Sequence, residues 1–174
     1  MSETPPTETP PRRGWGMMAF GWLLALVLMT AIFNGFLESR QNPNRLSALN
    51  SQEGDLLILS ANPNGQYFVE GYINGTKTMF LLDTGATSVA VSPKVAERAG
   101  LAPGQQIAVS TAAGMAAANN THIRRLQIGH FIFSDLRAII IPGANDVVLL
   151  GMNALGELKM TQQDGKIILQ KPVT

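Results

Sequence analysis

Asp83 is the residue of this chain best placed to do chemistry. It follows the apolar residues 79–82 and is followed at once by Thr84 and Gly85. A carboxylate at the end of a buried strand is costly to desolvate unless it is hydrogen-bonded or used. Threonine supplies a hydroxyl that can anchor a turn, and glycine leaves room for another backbone or a ligand. The pattern indicates a carboxylate held for acid–base work, or else an ordinary turn, where these residue types are common.

The composition excludes several other chemistries. The 174 residues contain no cysteine, which excludes disulfide scaffolds, thiolate zinc sites and cysteine nucleophiles. The formal net charge of +1 shows no basic excess that would favour nucleic acid. Two histidines, His122 and His130, have no partner at ligand spacing. We therefore predict no metal, no cofactor and no nucleic-acid partner.

Residues 56–170 have the pattern of an all-β domain that must position Asp83. Asn74 and Gly75 fit a type I′ hairpin turn, and Ser92 is suited to cap a short helix over residues 93–99. Strands are predicted at 56–60, 67–73, 76–82, 107–111, 123–128, 131–133, 136–141, 147–150, 158–161 and 166–170.

The N-terminal third has a different character from the domain. Residues 1–13 hold four prolines and little apolar surface, which predicts a disordered tail. Residues 14–37 contain no charged side chain and are long enough for a transmembrane helix, which needs about 20 apolar residues. A cleavable signal peptide is the alternative, although its apolar part is usually about 7–15 residues long. Residues 38–55 are polar and predict an exposed, flexible linker.

The orientation of this helix depends on the flanking arginines. Arg12 and Arg13 precede it, and Arg40 and Arg45 follow it, so the count is tied. The adjacent pair directly at the apolar boundary favours a cytoplasmic N-terminus.

Two separated segments together resemble a known family. Residues 80–91 read FLLDTGATSVAV, and residues 147–155 read VVLLGMNAL. In order and spacing they resemble the retropepsin-like (clan AA) aspartic proteases, and with residues 14–37 the bacterial membrane-anchored single-domain type. The resemblance implies a closed β-sheet lobe with one or two short helices, preceded by one transmembrane helix. It also implies a single-pass protein of the bacterial inner membrane with a periplasmic protease domain.

The resemblance also implies roles for individual residues. Asp83 corresponds to the catalytic aspartate, Thr84 to the residue that braces its loop against a second copy, and Gly85 to the donor of a backbone N–H near the carboxylate. A second group would pack behind the catalytic loop: Leu149, Leu150 and Gly151. A third group would form the tip of a flap that closes over the substrate: Thr111, Ala112, Ala113 and Gly114. The alternative for the flap segment is a helical turn, since alanine is the best helix former.

The function implied is that of an aspartic endopeptidase. Its chemistry needs two carboxylates, and Asp-Thr-Gly occurs once in this chain, so the second must come from another copy in a homodimer. The expected partners are a second copy, an extended peptide or protein substrate, and the lipid bilayer through residues 14–37. The alternatives are a non-catalytic peptide-binding or assembly module of the same fold, and an unrelated β-domain in which Asp83 caps a turn.

Two departures from the family pattern concern the dimer. Retroviral members usually carry arginine where this chain has Met152, and they end soon after the following helix. Here a further hairpin is predicted from residues 158–161 and 166–170. The residues of the dimer interface are therefore left open by the sequence.

Overall fold

The computed structural model of the chain describes residues 20–23, 26–30, 42–44, 56–111, 114–143 and 146–172. The chain divides into two compact units, residues 1–38 and residues 39–174. The predicted tail at residues 1–13 lies outside the described residues.

In the first unit, residues 20–23 and 26–30 are helical. The Thr30 hydroxyl donates to the Leu26 carbonyl oxygen at 2.7 Å, one turn earlier. Among the described residues, no helix is both long enough and apolar enough to cross a membrane. Most of the predicted transmembrane helix at residues 14–37 lies outside the described residues.

In the second unit, the described residues form ten strands and two short helices. In chain order they are β1 (Leu56–Ser60), β2 (Phe68–Ile73), β3 (Thr76–Leu82), β4 (Val89–Val91), α1 (Pro93–Arg98), β5 (Gln106–Thr111), β6 (Gly114–Ile128), β7 (Phe131–Ile140), β8 (Val147–Leu150), α2 (Met152–Leu155), β9 (Lys159–Gln163) and β10 (Lys166–Gln170). Ser92 caps α1 as expected, because its hydroxyl accepts from the Val95 N–H at 3.2 Å.

The strands form a closed sheet and a small terminal sheet. The order β2-β3-β8-β4-β7-β6 returns to β2 through a direct β2–β6 pairing, and β5 extends from β6. The β3–β8 and β4–β7 pairs are parallel. The terminal sheet has the order β1-β10-β9 with antiparallel pairs. This arrangement is the mostly β lobe with short helices that the sequence predicts.

Gly71 allows the closed sheet to close. A Cβ atom at this position would lie 2.3 Å from the Gln127 carbonyl oxygen and 2.9 Å from the Phe80 ring. Strands β2 and β6 approach each other there, and Phe80 is fully buried. A side chain on Gly71 would therefore separate two strands that the closed sheet requires to be neighbours.

Strand β6 is longer than the sequence predicts. It begins at Gly114 instead of near 123, and it includes Asn119 and Asn120, which are residues typical of turns. The Asn120 N–H donates to the Gln105 carbonyl oxygen at 2.9 Å. Backbone pairing with Gln105, with the start of β5 and with the end of β7 thus outweighs the local preference of asparagine for turns.

Strand β7 also differs from the prediction, since residues 131–133 and 136–141 were expected to be separate strands. They belong to one strand, Phe131–Ile140, which continues through Asp135 at a positive φ of 55°. Aspartate tolerates this backbone region better than most residues.

At Asn44 the structure departs from the exposed linker predicted for residues 38–55. It is only 1% exposed. Its side-chain amide donates to the carbonyl oxygens of Ser60 at 2.8 Å and Phe68 at 3.0 Å, and its Oδ1 accepts from the Ser60 N–H at 2.7 Å. Because the amide has both donor and acceptor atoms, it pairs with the edge of β1 as a short strand would. The rest of this segment, apart from residues 42–44, lies outside the described residues.

Candidate active site

Asp83 lies at the end of β3, where the parallel strand β8 fixes its backbone. Leu82 pairs with Leu150, and the Asp83 N–H donates to the Leu150 carbonyl oxygen at 3.1 Å. Leu150 is fully buried, whereas Asp83 is half-buried. The carboxylate therefore stands at the rim of the core, on a backbone that the core holds in place.

The residues after Asp83 form a tight loop around its carboxylate. The Gly85 N–H donates to Asp83 Oδ1 at 2.9 Å, and the Ala86 N–H donates to the Asp83 carbonyl oxygen at 3.2 Å. A Cβ atom on Gly85 would lie 3.2 Å from Oδ1, closer than most such contacts. Thr84 and Gly85 are exposed, so this side of the loop is accessible to a binding partner.

The corner from β8 into α2 packs directly behind this loop. A Cβ atom on Gly151 would lie 2.5 Å from the backbone carbon and oxygen of Ser88. The Met152 N–H donates to the Ala86 carbonyl oxygen at 2.8 Å, and the Asn153 N–H donates to the Thr87 carbonyl oxygen at 3.1 Å. The two segments that carry the family resemblance are thus joined backbone to backbone.

Asn153 is a further residue of this region; it lies within the segment 147–155, but no role was predicted for it from the sequence. Its Oδ1 accepts from the Val89 N–H at 3.0 Å, and its Nδ2 donates to the Arg137 carbonyl oxygen at 2.7 Å. One side chain therefore links α2 to β4 and β7. Only the contact across the folded chain reveals this role.

The predicted flap is a hairpin formed by β5 and β6. Thr111 pairs with Gly114, and the Thr111 hydroxyl donates to the Gly114 carbonyl oxygen at 2.7 Å. Gly114 has a φ of 111°, a conformation that favours glycine. Ala112 and Ala113 lie outside the described residues. Since Thr111 and Gly114 belong to paired strands, the alternative of a helical turn does not apply to them.

The two histidines lie in β6, at His122, and in the turn that follows it, at His130. His122 Nδ1 is 2.8 Å from Asp135 Oδ1, and both side chains are largely exposed. His130 lies in the turn between β6 and β7, with its ring centroid 4.0 Å from that of Phe131. Across the part of the chain that the structure describes, no three histidine or acidic residues gather as a metal site would require.

A protein-family model described as "gag-polyprotein putative aspartyl protease" matches residues 69–157. This range contains Asp83, the hairpin of β5 and β6, and Gly151. The chain belongs to this family of aspartyl proteases. The resemblance to retropepsin-like proteases of clan AA, inferred from residues 80–91 and 147–155, is thereby confirmed.

Two further comparisons bear on the family assignment and the fold. A Sinorhizobium sp. protein described as "Uncharacterized protein in cobV 5'region" is 30% identical over 125 residues. The match covers 69% of this chain and 54% of that protein, so the chain spans about half the length of its curated relative. The crystal structure of a retropepsin-like aspartic protease from Rickettsia conorii superimposes with a TM-score of 0.56 at 24% identity, over 67% of this chain and 89% of that one. This superposition shows the retropepsin-like fold.

Proposed function

We propose that this chain is a membrane-anchored aspartic endopeptidase that hydrolyses peptide bonds through two copies of Asp83 in a homodimer. The observation that carries the proposal is that hydrogen bonds fix both the backbone and the carboxylate of Asp83, in a chain that belongs to an aspartyl protease family. Its backbone is bonded to Leu150, and its carboxylate accepts the Gly85 N–H.

The reaction requires the two carboxylates to differ in protonation. As is general for aspartic proteases, two carboxylates close together share one proton, because both cannot ionise cheaply. The ionised Asp83 takes a proton from water, whose oxygen then bonds to the scissile carbonyl carbon. The protonated Asp83 donates to the carbonyl oxygen. The C–N bond then breaks as the carboxyl group that took a proton from water gives it to the leaving amine. The other carboxylate takes a proton back from the hydroxyl formed on the carbonyl oxygen, which restores the shared proton.

A homodimer supplies the second carboxylate, since Asp-Thr-Gly occurs once in the sequence. Other aspartates of the described residues are placed differently. Asp135 pairs with His122, and Asp164 lies at a φ of 50° in the β9–β10 turn. A two-fold axis beside Thr84 would bring the two exposed loops together, each copy giving one Asp83.

The substrate would be an extended peptide lying between the Asp83 loop and the β5–β6 hairpin. The half-buried Ile107 and Val109 pair with Ala118 and Ala116 on one face of this hairpin. Small and aliphatic side chains leave room for a strand, and backbone hydrogen bonds would supply most of the binding. Thr111, Ala112, Ala113 and Gly114 would form the tip that closes over it.

Residues 14–37 would anchor the domain in the bacterial inner membrane, with the N-terminus in the cytoplasm and the domain in the periplasm. The support is the absence of charge over these residues and the Arg12-Arg13 pair beside them. The helical residues Phe20, Trp22 and Leu23 are also exposed, as lipid-facing side chains would be. Reporters fused after Thr174 test this topology. A reporter that requires export should be active and a cytoplasmic reporter silent, and the reverse result would contradict it.

Asp83→Asn in the full chain is the direct test of catalysis. We expect wild type to cleave members of a mixed peptide library, and Asp83→Asn to bind peptide without cleaving it. The Asp164→Asn variant serves as a control, since it removes a carboxylate from a remote turn and should cleave as wild type does. Peptide binding by wild type without cleavage would indicate the non-catalytic module instead. Full activity of a monomer would contradict the shared pair of carboxylates.

A further inference from the structure

An open cavity of about 250 Å³ lies on the outer face of the closed sheet. Its lining residues are Tyr72, Gly75, Arg125 and Gln127. Tyr72 is 44% exposed and pairs with Gln127 across β2 and β6. Ile132 is 41% exposed and continues this row from β7, where it pairs with Gln127. We call these five residues the Tyr72 face, which combines aromatic and aliphatic surface with one guanidinium group.

The positive charge of Arg125 is available to a ligand. Among the described residues, no acidic side chain pairs with it. Its Nη2 donates to the neutral Gln127 Oε1 at 3.4 Å. Lys77, which pairs with Tyr72 from β3, instead contacts the Glu70 carboxylate at 2.9 Å. A planar guanidinium with further N–H donors, beside a tyrosine ring, is suited to bind two oxygens of a phosphate group.

The Tyr72 face is separate from the candidate active site. Tyr72 pairs with Lys77, and β3 runs from there to Leu82, directly before Asp83. At about 3.3 Å per residue, the six steps from Lys77 to Asp83 span about 20 Å. A ligand in the cavity therefore does not occupy the Asp83 loop.

The described linker residues run along the sheet towards the Tyr72 face. Asn44 donates to the carbonyl oxygen of Phe68, the first residue of β2. Two residues earlier in the chain, Asn42 Nδ2 donates to Met79 Sδ at 3.2 Å. Met79 is on the same side of the sheet as Tyr72, two strand residues or about 7 Å from its row. Traced backwards from residue 44, the chain thus approaches Tyr72.

A bilayer that holds residues 14–37 lies within reach of this part of the domain. Residue 37 is five positions before Asn42, and five residues extend at most about 18 Å. The surface of a bilayer presents phosphate groups above the acyl chains. Tyrosine is enriched at this boundary, and basic side chains are attracted to anionic headgroups there. The short tether and the chemistry of the face therefore point to the same partner.

We infer that the Tyr72 face is a second membrane contact, at which Arg125 and Tyr72 bind the phosphate of an anionic phospholipid headgroup. The inference rests on the proposed function, since that function anchors residues 14–37 in a bilayer. Ile132 adds apolar contact at the boundary of the acyl chains, as in other surfaces that lie on a membrane. The contact fixes the orientation of the domain on the bilayer, which a tether alone leaves free.

The test uses the full chain in vesicles of phosphatidylglycerol with brominated acyl chains, which quench a fluorophore that reaches the lipid. The chain has no cysteine, so one introduced cysteine takes one fluorescent label. Ser134→Cys places the label beside Arg125, the cross-strand partner of Ser134. Ser110→Cys is the matched control, because Ser110 is also exposed but pairs with Met115, about 33 Å along β6 from Arg125.

We expect the lipid to quench the label at position 134 about threefold more strongly than the label at position 110. Arg125→Glu should lower the quenching at position 134 about twofold or more, because it replaces attraction to the headgroups by repulsion. Lys166→Glu, which makes the same change of charge in the terminal sheet, should leave it unchanged. Equal quenching of the two labels, or no effect of Arg125→Glu, would overturn the inference. If Arg125→Glu does not fold, as judged by circular dichroism, Arg125→Gln replaces it under the same criterion.

Two further measurements identify what covers the face. Brominated phosphatidylcholine, which has no net charge, should quench the label at position 134 less than phosphatidylglycerol does, and added salt should reduce the difference. Equal quenching by both lipids would contradict binding to an anionic headgroup. A label that is shielded from iodide in the water but not quenched by lipid would show that a protein covers the face, for example a second copy, and would also overturn the inference.

Tryptophan fluorescence separates this inference from the proposed anchor. Trp15 and Trp22 are the two tryptophans of the chain, and both lie in residues 14–37. Quenching of tryptophan without quenching at position 134 would leave the anchor standing and overturn the inference, whereas quenching of neither would contradict both. Catalysis is tested independently, since Asp83→Asn should show the same quenching as wild type. A chain that contacts lipid but never cleaves peptide would contradict the proposed activity and support the membrane contact.

Discussion

The backbone N–H of Asp83 donates to the carbonyl oxygen of Leu150 at 3.1 Å, which joins the two segments of the sequence that carry the family resemblance. Leu150 is fully buried and Asp83 is half-buried, so the bond connects the core to the site. The position of the carboxylate therefore depends on how closely β8 and the corner after it can pack behind the loop.

Gly151→Ala should disturb this packing. The new Cβ atom would lie 2.5 Å from the Ser88 backbone, which cannot rotate away as a side chain could. We expect a loss in the free energy of unfolding of about 1–3 kcal/mol or more, measured by urea denaturation. Gly71→Ala is the matched control, because its Cβ would meet the Gln127 carbonyl oxygen in the sheet instead. Both should destabilise, but only Gly151→Ala should lower the activity per folded molecule.

Asn153→Ala should destabilise the domain by about 1–3 kcal/mol, because it leaves the Val89 N–H and the Arg137 carbonyl oxygen without their partner. Asn153→Asp keeps an acceptor for Val89 but loses the donor to Arg137, so it should retain only part of the stability. Chemical denaturation of both variants measures the difference. Asn119→Ala, which removes an amide from the exposed hairpin, should cost less. Equal stability of Asn153→Ala and wild type would contradict the proposed link.

Asn44→Ala should loosen the edge of β1. The variant loses the bonds to both backbone groups of Ser60 and to the Phe68 carbonyl oxygen. We expect the Ser60 amide to exchange with deuterium at least tenfold faster, measured by hydrogen exchange, since its only acceptor among the described residues is the Asn44 side chain. Asn64→Ala, in an exposed turn, is the control and should leave this amide unchanged.

Gly114→Ala should weaken substrate binding through the hairpin. A φ of 111° is costly for any residue with a Cβ atom, by about 1–3 kcal/mol, so the end of the hairpin should rearrange. We expect KM for a cleaved peptide to rise several-fold. Gly100→Ala is the control, because it introduces similar strain at a φ of 64° after α1, remote from the hairpin. An unchanged KM in Gly114→Ala would show that the hairpin does not hold substrate.

Dilution of wild type should lower activity per chain, because the proposed site needs two copies of Asp83. By mass action, the loss should begin where the concentration falls to the dimer dissociation constant. Activity assays and sedimentation on the same samples check whether the two midpoints agree. Activity that remains constant below that concentration would contradict a site shared between copies.

The sequence predicted the local features of this protein well. Alternating apolar residues, the Ser92 cap and the Asn74-Gly75 turn are signals carried by neighbouring residues, and the structure has strands, a helix and a turn at these places. Asp83 was singled out as the candidate catalytic residue by its immediate neighbours and by the matching run that ends at Gly151, and that role stays a prediction. The predicted identity as a retropepsin-like protease depended on two short segments only.

Tertiary structure decided what depends on residues distant in the chain. Asn119 and Asn120 have local preferences for turns, yet they lie in β6 because Gln105, the start of β5 and the end of β7 pair with their backbones. Asn44 looked like part of a polar linker and is buried, because the edge of β1 and the start of β2 together satisfy its amide. Hydrogen-bond partners brought together only by folding leave no trace in local composition, whereas turn and strand preferences are set by each residue and its neighbours.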